Sequence, residues 1–336
     1  MSARIGAVVI GRNEGERLRR CLASLAGRSA VIVYVDSGST DGSVENAQRW
    51  GATVCELDTK RPFTAARARN AGLARLLDAA PGIDLVQFVD GDCEVAAGWL
   101  ERAQRDISSD PSLGVVCGRR RERSPTASIY NRLCDIEWNT PIGVATACGG
   151  DALMRVRAVR ETGGYDPDLI AGEEPDLCLR MRRRGWKILR VDAEMTLHDA
   201  AMTRFGQWWR RMVRAGHAFA EGSARHGRGT ERHWVRETRS NWAWGLVLPV
   251  AAFGLAPATG GASFLLLLCY GVLAIRIYRN SRRRGLPVED ARLFAAFCAI
   301  SKVPQALGQA RYWINRSGGR PSALIEYKRP PTAHVS

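Results

Sequence analysis

Two carboxylates separated by one glycine follow the apolar run 85–89, which predicts a buried strand. Asp90, Gly91 and Asp92 would therefore stand at a strand tip, and ligands of open α/β sheets collect at the carboxyl ends of the strands. Adjacent carboxylates repel each other unless a cation lies between them. Divalent cations such as Mg²⁺ take carboxylate oxygens and keep positions open for phosphate oxygens. The spacing predicts a clamp for a metal-bound diphosphate, and the alternative is a turn that closes a hairpin.

Two earlier strand ends also carry polar groups. The apolar runs 5–10 and 30–35 predict strands, and a short turn follows each of them. Asp36, at the second tip, could accept hydrogen bonds from a base or a ribose, whereas an Asx turn with helix caps explains Thr40 and Ser43 but not Asp36. The polar residues at these two tips are Arg12, Asn13, Glu14, Asp36 and Ser37.

Strands and helices alternate along the first part of the chain. A third strand is predicted at 52–57, and helical patterns separate it from the strands before and after it. This β-α-β-α-β-α-β order predicts an α/β fold with a doubly wound, mainly parallel sheet. Arg67 and Asn70 fall in the helix 64–77, where arginine could face a diphosphate or solvent.

Three further segments carry candidate residues. Gly150 and Asp151 close a glycine pair at which backbone could approach a ligand. Acidic residues precede a predicted helix that ends in arginines, a pattern that suits the helix dipole. That explanation does not account for Glu173 and Glu174, because they are expected to lie just before the helix. His198 follows a strand at 188–191, and its alternative role is that of an ordinary structural histidine.

Composition bounds the class of protein. The chain has 336 residues, of which 46% are hydrophobic, so it is not disordered. The net charge of +15 suits nucleic acid, an anionic membrane surface or phosphorylated substrates. The nine widely spaced cysteines contain no C-x-x-C motif and indicate a reducing cytosol. The first ten residues do not resemble a signal peptide.

The C-terminal third is apolar and helical in pattern. Runs at 242–256 and 262–275 are split by proline and glycines, and an arginine cluster at 279–284 follows them. A third stretch, 291–307, is interrupted by Lys302 and Pro304. The positive-inside rule then predicts a membrane hairpin with both ends on the cytosolic side, followed by an interfacial helix. The alternative is a buried helical domain of a soluble protein.

Taken together, these motifs resemble family 2 glycosyltransferases, inverting enzymes of the GT-A fold, over about residues 5–216. The resemblance rests on the segments 12–14, 36–43, 68–72, 90–92 and 173–180. It implies that the first two tips hold the nucleoside. It also implies that Asp90, Asp92 and His198 hold Mg²⁺ or Mn²⁺, and that Glu174 is the catalytic base. Glu174 stands where the family has aspartate, and Asp36-Ser37 replaces the commoner Asp-Asp.

The resemblance also supplies the set of donor-binding residues. Gln207-Trp208-Trp209-Arg210-Arg211 is similar to the Q-x-x-R-W motif of membrane-bound members, with Arg211 in the last place instead of tryptophan. The residues assigned to the nucleotide sugar are Arg12, Asn13, Glu14, Asp36, Ser37, Arg67, Asn70, Asp90, Gly91, Gly150, Asp151, Arg210 and Arg211.

The implied activity is transfer of a sugar from a nucleotide-diphosphate sugar to the hydroxyl of a lipid-linked or membrane-held glycan acceptor. We expect it at the cytoplasmic face of the plasma membrane. The predicted parts are a GT-A catalytic domain at 1–220, a basic linker at 221–240, an apolar helical membrane-associated region at 241–310 and a basic tail at 311–336. The alternatives are a nucleotidyltransferase and a catalytically inactive membrane scaffold. Nucleic acid is not an expected partner, because the basic residues are dispersed and carry no binding motif.

Overall fold

The computed structural model describes residues 3–320 and 323–326. The described chain forms two compact units, the first built from residues 3–125 and 137–201 and the second from 126–136 and from Met202 onward. The functional boundaries at 220, 240 and 310 stay predictions. Residues 327–336 of the predicted basic tail lie outside the described residues.

The first unit is built on nine strands, which are β1 (Ile5–Gly11), β2 (Val31–Asp36), β3 (Thr53–Glu56), β4 (Leu85–Asp90), β5 (Cys93–Val95), β6 (Leu113–Glu122), β7 (Gly143–Val144), β8 (Ala152–Arg155) and β9 (Lys187–His198). They form one sheet in the order β3-β2-β1-β4-β8-β6-β9-β5, with β7 also paired to β9. The pairings among β1 to β4 and between β6 and β9 are parallel, and β5, β7 and β8 add antiparallel pairs.

Strand register brings the polar tips together. Gly11 of β1 lies opposite Asp36 of β2, and Ile10 lies opposite Asp90 of β4. Because these three strands are parallel, their carboxyl ends share one edge of the sheet. The sheet edge that the sequence predicts as the ligand site is therefore formed as expected.

Amphipathic helices cover the sheet because their apolar residues recur at helical spacing. In α1 these buried residues are Leu18, Cys21, Leu22 and Leu25. The helices that belong to this unit are α1 (Glu16–Leu25), α2 (Ser43–Arg49), α3 (Ala65–Ala79), α4 (Trp99–Ser109), α6 (Val156–Glu161) and α7 (Glu173–Arg183). Helix α3 lies so close to β1 that a Cβ on Gly72 would stand 2.3 Å from Val8 Cγ1. The glycine is thus required by the approach of the helix to the sheet.

Strand β9 is longer than its apolar core predicts. The sequence pattern supports 188–191, yet the strand continues to His198 and pairs in parallel with β6 as far as Glu122. Asp192 and Glu194 are exposed while Val191 and Met195 are buried, so exposed polar side chains interrupt the apolar pattern in the first part of the extension. Because hydrophobic periodicity detects only the buried core of a strand, it does not predict the polar extension that carries His198.

The second unit is helical. Its elements are α5 (Ile129–Trp138, with its last two residues in the first unit), α8 (Phe205–His226), α9 (Val235–Trp242), a π-helical turn (Ala243–Val247), α10 (Leu248–Gly254), a 3₁₀ turn (Ala262–Leu267), α11 (Leu268–Arg283), α12 (Val288–Ile300) and α13 (Lys302–Ser317). Ser263 Oγ donates to the carbonyl oxygen of Ala252 at 2.6 Å, and the rings of Trp244 and Tyr270 lie 5.8 Å apart. The two apolar runs therefore pack against each other as a helical hairpin.

Within the described residues, one helix is long and apolar enough to cross a membrane, Ala262–Arg283. Only 6% of its most apolar window is buried against the rest of the protein. By contrast, the helical stretch 235–254 does not meet this criterion. The hairpin geometry is thus established, while its insertion into a membrane stays a prediction.

Candidate active site

Asp90 lies between two arginine side chains. Arg69 Nη2 donates to Asp90 Oδ1 at 2.8 Å, and Arg120 Nη2 donates to Asp90 Oδ2 at 2.8 Å. Asp151 completes this cluster, because its carboxylate accepts from the Asp90 backbone N–H at 3.0 Å and from Arg120 Nε at 2.8 Å. Burial would raise the pKa of Asp90, but the two guanidinium groups outweigh it and hold that pKa below its usual range.

Asp92 and His198 form the second pair at this edge. His198 Nε2 lies 3.3 Å from Asp92 Oδ2, because β5 and β9 pair with Cys93 opposite His198. The edge of the Trp138 ring packs on the imidazole with 4.6 Å between ring centroids. Two atoms this close could be ligands of one ion, and a carboxylate with an imidazole suits Mn²⁺. The ligand atoms of Asp92, Cys93 and His198 all lie within 4.8 Å of one another.

Asp90 takes part less directly in this candidate metal site. Both of its carboxylate oxygens accept a guanidinium hydrogen bond, whereas Asp92 and His198 face each other. The second cluster that could hold an ion combines Asp90 with Cys93 and Asp151. Metal binding by Asp90 therefore stays a prediction, and the geometry favours Asp92 and His198.

Glu173 and Glu174 lie in the first turn of α7, after Gly172, so the prediction that they precede the helix is wrong. Arg69 Nη1 lies 2.8 Å from Glu173 Oε1 and 3.6 Å from Glu174 Oε1. Burial and the neighbouring Glu173 raise the pKa of Glu174 to about 7, against the opposing effect of Arg69. A carboxyl group with this pKa can exist as a base at neutral pH and still bind a proton firmly. The dipole at this end of the helix favours a charged carboxylate, so it does not account for the raised pKa of Glu174.

Gly150 forms the wall between these two carboxylate groups. A Cβ placed on Gly150 would stand 2.8 Å from Asp90 Oδ2, 2.9 Å from Arg69 Nη2 and 3.2 Å from Glu174 Oε1. The predicted close approach of backbone at this glycine is thus present. Its partners are charged side chains of the site, and binding of donor there stays a prediction.

The residues that are predicted to bind the nucleoside form hydrogen bonds within the loops after β1 and β2. Asp36 accepts hydrogen bonds from Tyr34 Oη at 2.9 Å, Gly38 N at 2.9 Å and Ser39 N at 2.8 Å. The Asx-turn geometry therefore includes Asp36, which the sequence pattern places outside it. Asn13 joins the two tips, because its N–H donates to Ser39 Oγ at 2.9 Å and its Oδ1 accepts from Thr40 N at 2.7 Å.

The other residues that are predicted to bind donor at these tips contact neighbouring side chains or backbone groups. Glu14 Oε2 lies 2.8 Å from Arg17, and the guanidinium carbon of Arg12 lies 5.9 Å from the centroid of the Phe63 ring. Ser37 is buried and donates its backbone N–H to Gly11 at 3.1 Å. Gly91 donates its N–H to Ile10 at 2.8 Å. All of them lie around the β1, β2 and β4 tips, and their contacts to a nucleotide stay predictions.

Arg67 and Asn70 hold the backbone of neighbouring segments. Arg67 donates to the carbonyl oxygens of Asp58 at 3.2 Å and Arg61 at 3.0 Å. Asn70 donates to the Tyr165 carbonyl oxygen at 2.7 Å and accepts from the Tyr165 N–H at 2.9 Å. Arg210 and Arg211 lie on α8 in the second unit. Donor binding by these four residues stays a prediction.

Two residues that organise the site are absent from the set predicted from sequence. Arg69 is 2% exposed although it sits between Arg67 and Asn70 in the sequence, and Arg120 lies in a run of basic residues. A helical projection could have found Arg69, because it shares the buried face of α3 with Ala66 and Leu73. For Arg120 the sequence offers only its place in the basic run that follows the apolar part of β6, and its partners Asp90 and Asp151 are distant in the sequence.

Comparisons with known proteins agree with this geometry. Residues 7–163 match the model of glycosyl transferase family 2. The matched segment contains the motifs at 12–14, 36–43, 68–72 and 90–92 on which the resemblance rests. The resemblance drawn from the motifs is thereby confirmed.

Individual relatives are more distant. A pre-mycofactocin glycosyltransferase of Mycobacterium tuberculosis is 28% identical over 66% of this chain and 48% of its own length. The succinoglycan biosynthesis protein ExoA of Rhizobium meliloti is 27% identical over 53% of this chain and 55% of its own length. The match thus spans only about half of these curated relatives.

Solved structures establish the fold. The mannosyltransferase PcManGT from Pyrobaculum calidifontis, in complex with GDP-Man and Mn²⁺, superposes with a TM-score of 0.61 at 21% identity, over 91% of this chain and 88% of that one. Glucosyl-3-phosphoglycerate synthase from Mycobacterium tuberculosis, with Mn²⁺ and UDP-Glc, gives a TM-score of 0.50 at 18% identity, over 67% of this chain and 79% of that one. The predicted GT-A fold is confirmed.

Proposed function

We propose that this family 2 chain transfers a sugar from a nucleotide-diphosphate sugar to an acceptor hydroxyl, with inversion at the anomeric carbon. One observation carries the proposal. A carboxyl group with a pKa of about 7, Glu174, shares Arg69 with Asp90 at the sheet edge where ligands of such folds bind. A nucleotidyltransferase or an inactive scaffold gives no reason for a carboxyl group tuned in this way.

Asp92 and His198 are the residues that would hold a divalent cation, Mg²⁺ or Mn²⁺. The Asp92 carboxylate oxygen and the His198 ring nitrogen lie 3.3 Å apart, close enough to bind one ion. Mn²⁺ is present in the solved mannosyltransferase and synthase complexes. When bound, the cation offsets negative charge on the departing diphosphate. His198 keeps its orientation because the Trp138 ring packs on it and Glu122 Oε2 lies 3.7 Å from its Nδ1.

Glu174 is the proposed base. Its side chain is 16% exposed, whereas Glu173 is 5% exposed and forms the closer ion pair with Arg69. Glu174 is therefore the member of the pair that an acceptor can reach. It takes the proton of the attacking hydroxyl as the bond to the anomeric carbon forms and the bond to the diphosphate breaks. Attack from the face opposite the leaving group gives the inverted product.

The acceptor that we propose is lipid-linked or otherwise held at a membrane, on the cytoplasmic face. The support comes from the second unit alone, where the helical hairpin exposes large apolar side chains beyond what a soluble surface normally carries. Those exposed by at least half are Val247, Val250, Phe253, Leu255, Leu265, Leu268, Val272 and Ile275. The arginine cluster at 279–284 forms the C-terminal end of α11 and suits an anionic headgroup layer.

The test is a donor screen with the purified full chain in detergent and Mn²⁺, in which release of nucleoside diphosphate from a panel of UDP-, GDP-, CDP- and dTDP-sugars is measured. We expect release from at least one nucleotide sugar, stimulated by a membrane lipid extract that contains the acceptor. The product's anomeric configuration, read by NMR, should be the inverse of the donor's. Release of pyrophosphate from nucleoside triphosphates with none from nucleotide sugars would favour a nucleotidyltransferase.

A further inference from the structure

Two cysteine thiols touch each other beside the proposed base. The sulfur atoms of Cys148 and Cys178 are 3.6 Å apart. Cys178 lies on α7, four residues and about one turn after Glu174. Cys148 comes two residues before Gly150, whose backbone borders Asp90 and Glu174. The sulfur contact thus joins the two segments that enclose the carboxylate cluster.

The two thiols differ in access. Cys148 is half-buried and Cys178 is buried. A small oxidant in solution can therefore reach the first sulfur, while the second lies in contact, ready to react with it. We propose that Cys148 and Cys178 form a reversible oxidation site, at which a peroxide converts the two thiols into a disulfide. The predicted effect on catalysis rests on the proposed function, whereas formation of the disulfide does not.

The chemistry balances with peroxide as the two-electron oxidant. The Cys148 thiol first releases its proton to solvent. The thiolate attacks one peroxide oxygen, the O–O bond breaks, and a sulfenic acid and a hydroxide form, and the hydroxide takes up the released proton to give one water. The Cys178 sulfur then attacks the Cys148 sulfur, the S–O bond breaks, and the departing hydroxide leaves as a second water with the Cys178 proton. Two thiols and hydrogen peroxide thus give one disulfide and two waters. A dithiol reductant reverses the change.

The surroundings set the conditions under which this occurs. The hydrogen-bonding contact with Cys178 and then burial raise the pKa of Cys148 well above its usual range. Little thiolate is present at neutral pH, so oxidation should be slow there and faster in alkaline solution. The site would respond to sustained exposure to oxidant and not to a brief pulse.

Formation of the Cys148–Cys178 disulfide must displace the backbone segments that carry the two cysteines. A disulfide needs sulfur atoms about 2.05 Å apart, so the two sulfurs must approach by roughly 1.5 Å. Gly150 has little room, because even a Cβ there would stand 2.8 Å from Asp90 Oδ2. A displacement of about 1 Å near reacting groups can lower a rate on the order of 10²-fold. We therefore expect the oxidised form to be strongly impaired in sugar transfer.

The experiment treats the purified full chain with hydrogen peroxide at pH 7 and pH 8.5, in the wild type and in Cys148→Ser, Cys178→Ala and Cys55→Ser. Cys55 is the matched control, because it is also half-buried but lies on β3. Peptide mapping by mass spectrometry under non-reducing conditions identifies the crosslink. Nucleoside diphosphate release is measured before oxidation, after it, and after treatment with dithiothreitol.

We expect a Cys148–Cys178 crosslink in the wild type and in Cys55→Ser, forming faster at pH 8.5, with activity that falls and returns on reduction. Either variant of the pair should lack the crosslink and keep its own activity after mild oxidation. Absence of the crosslink in the wild type, with or without oxidation of Cys148 to a sulfinic acid, would overturn the oxidation site. A crosslink that leaves transfer unchanged would overturn its predicted effect on catalysis. A crosslink in a protein that shows no transfer with any donor would instead refute the proposed function and leave the oxidation site standing.

Discussion

At the scale of single residues, the site depends on one buried arginine that is shared among acids. Arg69 contacts Asp90, Glu173 and Glu174, with nitrogen–oxygen distances of 2.8, 2.8 and 3.6 Å. Burial and the neighbouring Glu173 raise the pKa of Glu174 to about 7, and Arg69, whose contact with Glu174 is the longest of the three, offsets them only in part. Arg69 thus pairs closely with Glu173 and only loosely with Glu174, the glutamate that we propose as the base.

Glu174→Gln should lower turnover by about 10²–10⁴-fold, because the amide cannot accept the proton of the acceptor. In the wild type the rate should rise with pH through about 7, as the base form of Glu174 becomes populated. A pH–rate profile of both proteins with a saturating donor is the measurement. Glu173→Gln is the comparison, and a larger loss in that variant would mean that the base has been placed one residue too late.

The same group has a calculable effect on stability. The pKa of Glu174 is raised from 4.5 to about 7 in the folded state, so the unfolded chain loses this proton at lower pH than the folded one. Its contribution to stability is therefore present below about pH 4.5 and is lost as the pH rises through 7. Thermal unfolding should show Glu174→Gln to be more stable than the wild type at pH 8. A less stable variant would indicate that the ion pair with Arg69 dominates.

His198→Ala and Asp92→Asn should each weaken binding of Mn²⁺, because each removes a candidate ligand atom of the 3.3 Å pair. Loss of the several kcal/mol that a cation supplies should lower transfer on the order of 10³-fold. Titration of Mn²⁺ followed by electron paramagnetic resonance gives the affinity without reference to activity. His226→Ala, at the end of α8, is the control. Unchanged Mn²⁺ affinity in both site variants would rule out this pair as ligands.

At the scale of elements, the parallel strands place the site and the antiparallel ones complete it. Strands β1, β2 and β4 end together, which brings the predicted tips to one edge. Strand β8 then inserts between β4 and β6, so that Asp151 lies beside Asp90 and Arg120. The long strand β9 brings His198 opposite Cys93. The residues that complete the site thus lie at the ends of β8 and β9, in the part of the sheet that contains antiparallel pairs.

Gly150→Ala tests the close approach of this segment. Its φ is not in the left-handed region, so alanine strains no backbone, but the new Cβ would meet Asp90 at 2.8 Å and Arg69 at 2.9 Å. We expect a loss of activity on the order of 10²-fold with a folded protein, because the charged side chains must shift by a fraction of an ångström or more. Circular dichroism and the transfer assay are the measurements. Gly206→Ala, where nothing lies within 4 Å, should be neutral.

At the scale of the whole molecule, two units divide the work that we propose. The first contains the carboxylate cluster, and the second contains the apolar hairpin and α8 with Arg210 and Arg211. In the second unit, Trp208 is buried against Phe297 with ring centroids 4.9 Å apart. Trp208, at the first variable position of the segment similar to Q-x-x-R-W, therefore packs in the core of the helical unit.

The full chain expressed in bacteria should sediment with membranes and resist a carbonate wash, whereas a chain that ends after Arg239 should not.

Val250→Glu together with Leu265→Glu should weaken membrane association, since both side chains are at least 60% exposed and a charge in the bilayer core costs about 2.5–3.5 kcal/mol. Immunoblots of soluble and membrane fractions are the measurement. The control is a double variant at two exposed positions of α4, Glu101→Asp with Arg105→Glu, which should leave the fractionation unchanged. Recovery of the full chain in the soluble fraction without detergent would contradict membrane insertion.

The sequence by itself determined the strands β1, β2 and β4, their polar tips and the family. These follow from local information, because a buried parallel strand is a continuous apolar run and its tip is the first polar residue after it. Glu173 and Glu174 follow in the same way, from their place at the start of a helical pattern. The acidic positions of the site can therefore be located from the order of residue types along the chain.

Only the tertiary structure decided what each of these groups does. Arg69 and Arg120 acquire their roles from Asp90, Asp151 and the Glu173–Glu174 pair, which are separated from them by 21 or more residues. The raised pKa of Glu174 and the contact of Cys148 with Cys178 depend likewise on burial and on atoms brought close by the fold. Residue type and local spacing contain no information on such distances, because pairing between remote segments is set by sheet register and helix packing.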